Sequence, residues 1–538
     1  MKTALVALNV SYIHKNLALR WLWITKPAHH EAQIFEGLTK QPLALIDNIL
    51  AFQPDVVALS VYIFNLDASL VLIRELKQRC PQIIVVAGGP EATYHPEPLF
   101  DAGIDRIYRG EAELVFWDDL EGNSVGGVQH HPADQADVLR ADLSVLETLE
   151  SPYFLDIDAH DMDKRYLYVE SSRGCPFGCT YCLAALDPKV RTFSESYMSH
   201  FFDQVAQTTT RQIKFLDRTF NLDPHRALRL AHRCLDLPKA LTVHVELVGD
   251  RLSEELITLF ESHPERFRLE LGVQSLNPDT LKAVGRVSHL PKLLDVVDRF
   301  AQADLIQHTD LIAGLPQEDL TSFRASYNGL IQRKPHEVQV GILKVLHGSA
   351  LQGLRLSPEY VVDDQAPYVV RQTPWMSKAD LESVEAVALA TEKVYNSQKM
   401  RDELLRVFAA HDPYGVMESM GRMLQKLVHP YTNQDFYTAI YSALYEHLPQ
   451  SQAQALVQHA YYRQSKMLPP KLFDESLDKT TLNALRSAIN ADSSVKHLAV
   501  SQRIDGQSGW LIWCYGSTPQ VPSPIVLTTW PTLEKDSQ

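Results

Sequence analysis

Leu167-Tyr168-Val169-Glu170-Ser171-Ser172-Arg173-Gly174-Cys175-Pro176-Phe177-Gly178-Cys179-Thr180-Tyr181-Cys182 is the stretch on which the reading of this chain turns. It opens on a short apolar strand and closes on three cysteines spaced C-x3-C-x2-C. The chain holds six cysteines in 538 residues. The other three, Cys80, Cys234 and Cys514, lie far apart and read as buried thiols. So sparse a set is no secreted disulfide framework. Clustered thiolates suit zinc or an iron–sulfur cluster. A structural zinc takes four protein ligands, and neither a fourth cysteine nor a paired histidine motif stands nearby. A cubane cluster on three thiolates leaves one iron open to a small molecule. Gly174 and Gly178 would permit the tight turns that wrap a loop around it.

Working outward, apolar runs recur at 166–170, 212–216, 241–247, 267–273, 308–312 and 338–343, with helical segments between them. Asn221 or Asp223 with Pro224, and Asn277 with Pro278, supply helix caps. Six such units fit a partial or complete (β/α) barrel over residues 166–357, with reactive groups at the strands' carboxyl ends. Upstream, runs at 3–10, 56–63, 83–87 and 104–108 alternate with helices. They predict a doubly wound parallel α/β domain over residues 1–130. Its ligand loops would be 9–16, 60–65, 88–91 and 110–111. Residues 131–165 are acidic, carry two prolines and little periodicity, and read as a linker. Residues 358–538 read as a mainly helical domain, with helices near 379–398, 416–427, 437–448 and 452–464. A small β element is expected there, with 497–504 and 510–515 flanking Asp505-Gly506 as a hairpin.

The net charge of −15 argues against a chain-wide nucleic-acid surface. The excess is local: residues 97–163 hold seventeen acids against three bases, whereas 163–233 hold eleven bases against seven acids. The basic stretch surrounds the cysteines and suits an anionic cofactor. No apolar run approaches the roughly 18–20 residues of a membrane span, and the first residues read as a strand. A cytoplasmic protein without a membrane partner is expected. His29-His30, His130-His131, Trp510 and Trp513 read as surface or packing residues.

The C-x3-C-x2-C loop after the first barrel strand resembles the hallmark of the radical S-adenosylmethionine (SAM) superfamily, and the later strands match it in order. The resemblance implies that Cys175, Cys179 and Cys182 hold a [4Fe-4S] cluster and that Tyr181 lies against the adenine of SAM. Lys214-Phe215-Leu216-Asp217-Arg218-Thr219-Phe220-Asn221 resembles the second-strand segment, placing Asp217 and Asn221 at the methionyl end. Val243-His244-Val245-Glu246 puts Glu246 at the inner rim. Gly272-Val273-Gln274-Ser275 places Gln274 and Ser275 near the ribose and carboxylate. Asp310-Leu311-Ile312-Ala313-Gly314-Leu315-Pro316 brings Leu315 to the adenine.

Residues 1–130 resemble the cobalamin-binding domains that precede one branch of this superfamily, on the strength of Val85-Val86-Ala87-Gly88-Gly89-Pro90-Glu91 and Arg109-Gly110-Glu111-Ala112-Glu113. The implied cobalamin contacts are Ser11, Tyr12, His14, Asn16, Ser60, Tyr62, Asn65, Gly88, Gly89, Pro90, Glu91, Gly110 and Glu111. The D-x-H-x-x-G motif of many cobalamin enzymes is absent, so cobalt is expected without a protein histidine ligand. Residues 336–360 resemble a segment of a subgroup with an uncharacterised C-terminal domain.

The resemblance implies reductive cleavage of SAM to a 5′-deoxyadenosyl radical, with methylation of an unactivated carbon as the leading outcome. Radical cyclisation, ring contraction or oxidation, as in the anaerobic magnesium-protoporphyrin ester cyclase, is the alternative. A non-catalytic cobalamin and iron–sulfur sensor is the alternative of another class. A low-potential electron donor of flavodoxin or ferredoxin type is the implied partner. The substrate is not legible.

Overall fold

The computed structural model describes residues 1–473, 477–491, 494–505 and 507–530. Its first unit is a six-stranded sheet of β1 Lys2–Asn9, β2 Glu31–Leu38, β3 Val56–Ser60, β4 Ile84–Gly88, β5 Arg106–Tyr108 and β6 Val128–Gln129. The order is β2-β1-β3-β4-β5-β6, parallel up to β5 with β6 antiparallel. Strands β3 and β4 are covered on both faces and are accordingly near-continuous apolar runs. One face packs Val57, Leu59, Val85 and Leu76, the other Leu5, Ala58, Val86 and Trp117. Strand order reverses between β1 and β3, and that switch point opens a crevice at their carboxyl ends. Strand β2, at the sheet edge, was not expected from its sequence EAQIFEGL. It leaves Glu31 and Gln33 exposed and four more residues half-buried, and so lacks an apolar run.

The acidic segment 131–165 is packed, not a free tether. Ala141, Leu143, Leu146 and Tyr153 join the barrel's core. Asp158, Asp161 and Arg165 interlock with Lys15, Arg20 and Glu36 of the first unit. Arg20 Nε lies 2.7 Å from Asp158, Lys15 Nζ 2.8 Å from Asp161 and Arg165 Nη2 2.9 Å from Glu36. The carboxylates that suggested a solvated linker face cations from distant sequence.

The second sheet contains β7 Leu167–Val169, then, after a small ribbon of β8 Ser172–Arg173 with β9 Arg191–Thr192, β10 Gln212–Phe215, β11 Thr242–Leu247, β12 Phe267–Gln274, β13 Gln307–Ala313 and β14 Glu337–Ile342. Its order, β14-β13-β12-β11-β10-β7, is consecutive and parallel, and β7 does not pair with β14. This is a partial (β/α)6 barrel. Val243, Val245 and Leu247 turn into the core under the helices, while Thr242, His244 and Glu246 alternate with them and are half-buried. Asp223 caps the helix Pro224–Leu235 and Asn277 caps Pro278–Ala283, each with proline at the first position.

The open edge of β14 is closed by the C-terminal region. The Asn396 side chain accepts from Val338 N at 3.0 Å and donates to Val338 O at 2.9 Å, so an amide stands in for the missing strand. Beyond it lie the helices Lys378–Ala390, Arg401–Val407, Pro413–Gln425, Asn433–Tyr445, Gln450–Gln464 and Lys479–Ala488. Two small antiparallel sheets accompany them: β15 Val361–Val362 with β16 Val370–Gln372, and β17 His497–Gln502, β18 Trp510–Tyr515 and β19 Pro524–Leu527. Strands β17 and β18 pair as a hairpin; Gly506 of its expected turn lies outside the described residues. Trp513 is fully buried packing. Among the described residues no helix is long and apolar enough to cross a membrane.

Candidate cluster and cofactor site

The loop leaving β7 carries Cys175 and Cys179 buried and Cys182 half-buried. Backbone bonds shape it: Cys175 N donates to Asp187 O at 2.8 Å and Thr180 N to Val284 O at 3.0 Å. At Gly174, φ is +93° and a Cβ would lie 2.7 Å from the Lys189 carbonyl, so only glycine fits. Gly178, expected to share that role, has open space around it. The constrained glycine is Gly285 (φ +66°), whose backbone packs onto the Gly178 carbonyl. Arg286 Nη1 donates to Cys179 Sγ at 3.8 Å, and Thr219 Oγ1 lies 4.0 Å from Cys175 Sγ. Burial pushes the Cys182 thiol up, against the pull of Arg218.

These donors fit a cluster better than a single ion. A tetrahedral zinc with Zn–S bonds of 2.3 Å would draw its sulfurs to about 3.8 Å. Among the described residues, the one His/Cys/Asp/Glu trio with all donor atoms within 4.8 Å is His29, His30 and Glu121, not the cysteines.

Around the cysteine loop stand polar groups with free valences. Gln274 ends β12 at a bulge with φ +70°, its Nε2 folded over Gly272 beside Arg286. Arg286 also donates to the Gly272 carbonyl. Asp310 on β13 is raised to about 7 by burial and by Glu270. Glu246 on β11 is raised to about 7 by burial, against Arg218. Asp310 Oδ1, Gln274 Oε1 and Arg286 Nε are buried without a partner. Tyr181 is mostly buried beside Arg286 and Cys179, and burial pushes its phenol up. Orphaned acceptors and a guanidinium beside a thiol loop fit a ligand bearing ammonium, carboxylate and hydroxyl groups.

The remaining residues expected at SAM brace the walls instead. Asp217 is fully enclosed and accepts from Ser171 N at 2.9 Å and from Ser171 and Ser172 Oγ at 2.6 Å. Asn221 clamps Val248 through both its N–H and C=O at 2.9 Å. Ser275 Oγ donates to Glu318 at 2.5 Å, and Leu315 is wholly in the core. Strand ends were locatable from sequence, whereas the direction of successive side chains was not. Arg286 was not singled out. It reaches the sulfur only because Gly285 turns the chain back toward Gly178.

In the first unit's crevice the expected residues divide in the same way. Val10, Tyr12 and Phe64 are exposed at the carboxyl ends of β1 and β3, with Tyr62 stacked on Phe64 at 5.3 Å. Ser11, Gly88 and Pro90 stay at least partly exposed beside them. An exposed apolar seat at a switch point fits a large flat ligand. Asn16 instead caps the helix Leu17–Ile24 and donates to Ser60 Oγ at 3.0 Å. Asn65 ties Leu8, Ser60 and Tyr62 together. Gly89 (φ +105°) serves backbone packing, since a Cβ there would strike the Val61 carbonyl.

Four expected cobalamin contacts turn out to be domain struts. Glu111 accepts from Arg191 at 2.6 Å, Arg173 at 2.9 Å and Ala141 N at 2.9 Å, and Gly110 bridges to Leu139. Glu91 is buried against Tyr368 and His95. His14 Nδ1 meets Tyr168 OH of the barrel at 2.6 Å; burial, with Lys214 and Arg165, lowers its pKa. Apart from His95, four residues from Glu91, each partner is 29 to 277 residues away in sequence, beyond any local pattern.

The B12 binding domain family matches residues 3–117, and the Radical SAM superfamily matches residues 169–328. The cobalamin-dependent radical SAM methyltransferase TokK of Streptomyces tokunonensis is 26% identical over 323 residues, covering 54% of this chain and 47% of its own. The 2-(S-pantetheinyl)-carbapenam-3-carboxylate methyltransferase of Streptantibioticus cattleyicolor is 26% identical over 330 residues, covering 55% of this chain and 48% of its own. The chain thus spans about half the length of the curated relatives it matches. The structure of the radical SAM methyltransferase TsrM from Kitasatospora setae, with cobalamin and a [4Fe-4S] cluster bound, shares the fold. Its TM-score is 0.54 at 14% identity, over 86% of this chain and 99% of that one. A B12-binding unit joined to a radical SAM barrel places this chain among the cobalamin-domain radical SAM proteins.

Proposed function

We propose that the protein is a cobalamin-dependent radical SAM methyltransferase acting on an unactivated carbon. The observation that supports this best is a loop of three thiols beside the free groups of Gln274, Arg286 and Asp310. The methyltransferases among its relatives support the methyl-transfer outcome. Cys175, Cys179 and Cys182 would hold the [4Fe-4S] cluster, the barrel rim SAM, and the loops after β1 and β3 cobalamin without a protein histidine on cobalt. When bound, these groups supply one-electron cleavage of a sulfonium C–S bond and a transferable methyl group.

The chain's own part is binding, alignment and exclusion of water. Arg286 would pair with the SAM carboxylate. Glu246 and Asp310 would accept hydrogen bonds from its ammonium and hydroxyls, which favours their ionised forms. Tyr181 would cover the cysteine side. Arg173, with Glu111 and Glu113 at 2.9 Å and Glu170 at 2.8 Å, holds the B12-binding unit against the barrel so that the two seats stay in register. Electrons would come from a low-potential carrier of flavodoxin or ferredoxin type.

The test is anaerobic reconstitution with iron, sulfide and cobalamin, followed by reduction, SAM and cell extract under mass spectrometry. 5′-Deoxyadenosine, S-adenosylhomocysteine and a product heavier by one methylene unit are expected. 5′-Deoxyadenosine with a cyclised or oxidised product would assign the cyclase-type outcome. No cleavage of SAM by the reduced, loaded protein would leave a binding or sensing protein and end the proposal.

A further inference from the structure

The turn after β10 has a rigid backbone and one uncommitted side chain. Asp217 is locked to Ser171 and Ser172, and Thr219 Oγ1 donates to the Arg218 carbonyl at 2.8 Å. Between them Arg218 leaves 59% of its side chain exposed, and among the described residues its one ion pair is a long 3.7 Å contact with Glu246. Among the described residues its guanidinium makes no hydrogen bond.

The position of that guanidinium is informative. It lies 3.7 Å from Glu246 at the barrel rim, and the next residue, Thr219, places its Oγ1 4.0 Å from Cys175 Sγ of the cysteine loop. Arg218 therefore stands at the barrel rim beside the cysteine loop. Arg173 is held by three carboxylates and Lys214 lies over the Tyr166 ring at 4.5 Å, while Arg286, on Cys179 and Gly272, has only its Nε left unpartnered. Leu216 and Leu222, on either side in sequence, are each 37% exposed. A bound molecule that covered this exposed guanidinium and shut out water would have to offer it an anion, because an unpaired buried charge is strongly unfavourable.

We infer that Arg218 anchors an anionic group, a carboxylate or a phosphate, of the molecule on which this site acts, with Leu216 and Leu222 taking an adjoining apolar part. This rests on the reading of the site as a cobalamin-dependent radical SAM centre. Arg286 serves the carboxylate of SAM, and Arg218 is a second, separate cation.

The test titrates cofactor-loaded protein under anaerobic conditions with hexanoate, hexyl phosphate, hexylamine and hexanol, read by ligand-observed NMR. Saturable binding of the two anions, but not of the amine or alcohol, is expected. Arg218→Gln should weaken anion binding about 10- to 100-fold, the range for a charge-assisted hydrogen bond, and Arg218→Lys should restore part of it. Iron, cobalamin and SAM binding should stay at wild-type levels in both variants. Equal binding of the alcohol, no saturable binding of either anion, or a loss falling on SAM would overturn the inference. Failure of the wild-type protein to cleave SAM would instead strike the functional reading, whatever the probes show.

Discussion

Replacing Asp158 by Asn asks whether the acidic segment is a strut. Asp158 accepts from Arg20 Nε at 2.7 Å and Nη2 at 2.8 Å and lies 3.2 Å from Lys15 Nζ, with 4% of its side chain exposed. As built, Lys15, Arg20 and Arg165 balance Glu36, Asp158 and Asp161. Asparagine keeps the shape but removes one negative charge, leaving two buried cations undercompensated. Breaking one side of a buried pair costs roughly 3–5 kcal/mol. Arg20 keeps Glu36 at 3.0 Å and Lys15 keeps Asp161 at 2.8 Å, so about 3 kcal/mol is the appropriate end. That is on the order of a hundredfold in the local opening equilibrium. Amide exchange across residues 9–20 and 153–165 should accelerate by that factor while β10 to β14 stay protected. Cobalamin occupancy should fall too, because the same loop carries Ser11 and Tyr12. Burial alone would raise the Asp158 carboxyl, but Arg20 and Lys15 overcome it and hold it below 3.8. Its contribution is therefore present above pH 3.8 and lost as pH falls through the lower folded value. The paired change Arg20→Met with Asp158→Leu should recover most of the loss. Unchanged exchange in D158N would refute the strut and leave the six charges as a surface cluster.

Three further outcomes are expected. Cys179→Ala should bring cluster iron close to zero with the cobalamin spectrum retained; wild-type iron content would rule out the cluster assignment. Gly89→Val forces a Cβ against the Val61 carbonyl at φ +105°, so cobalamin occupancy should drop along with thermal stability of the first unit while iron stays. Occupancy and stability both at wild-type levels would contradict the packing described. Glu318 is fully buried with an unpartnered Oε2, and burial raises it from 4.5 to about 8. Its protonated form stabilises the fold below pH 4.5, and that contribution is lost as pH rises through 8. Glu318→Gln should flatten this decline of a few kcal/mol, measured by urea unfolding at intervals from pH 4.5 to 8; an unchanged slope would show the proton is not there.

What the sequence made legible follows from how far each determinant reaches along the chain. The cysteine loop, the capping residues Asp223 and Asn277 and the doubly covered strands β3 and β4 depend on neighbours within a few residues. Composition and spacing therefore expose them. Strand β2 failed that test because, at the sheet edge, only Ala32 and Phe35 of its side chains are fully buried, one on each face, and two buried positions make no apolar run. The same limit governs the site. Sequence order fixed which strand ends form the rim, but Asp217 and Glu246, both at such ends, point to opposite fates. Ser171 and Ser172, across the sheet, close on Asp217, whereas Arg218 leaves Glu246 partly free. Glu111 and Glu91 were expected at cobalamin because the segments that carry them resemble cobalamin-binding loops. Arg191 and Tyr368 show that the demand came from the domain seam. Arg286 makes the converse point. An arginine in a polar turn carries no local signal, yet the left-handed turn at Gly285 brings it to Cys179. A side chain's role here depends on which long-range partner reaches it first. Residues such as Arg218, rooted firmly yet reached by almost nothing in the protein, are therefore where an external molecule has most to contribute.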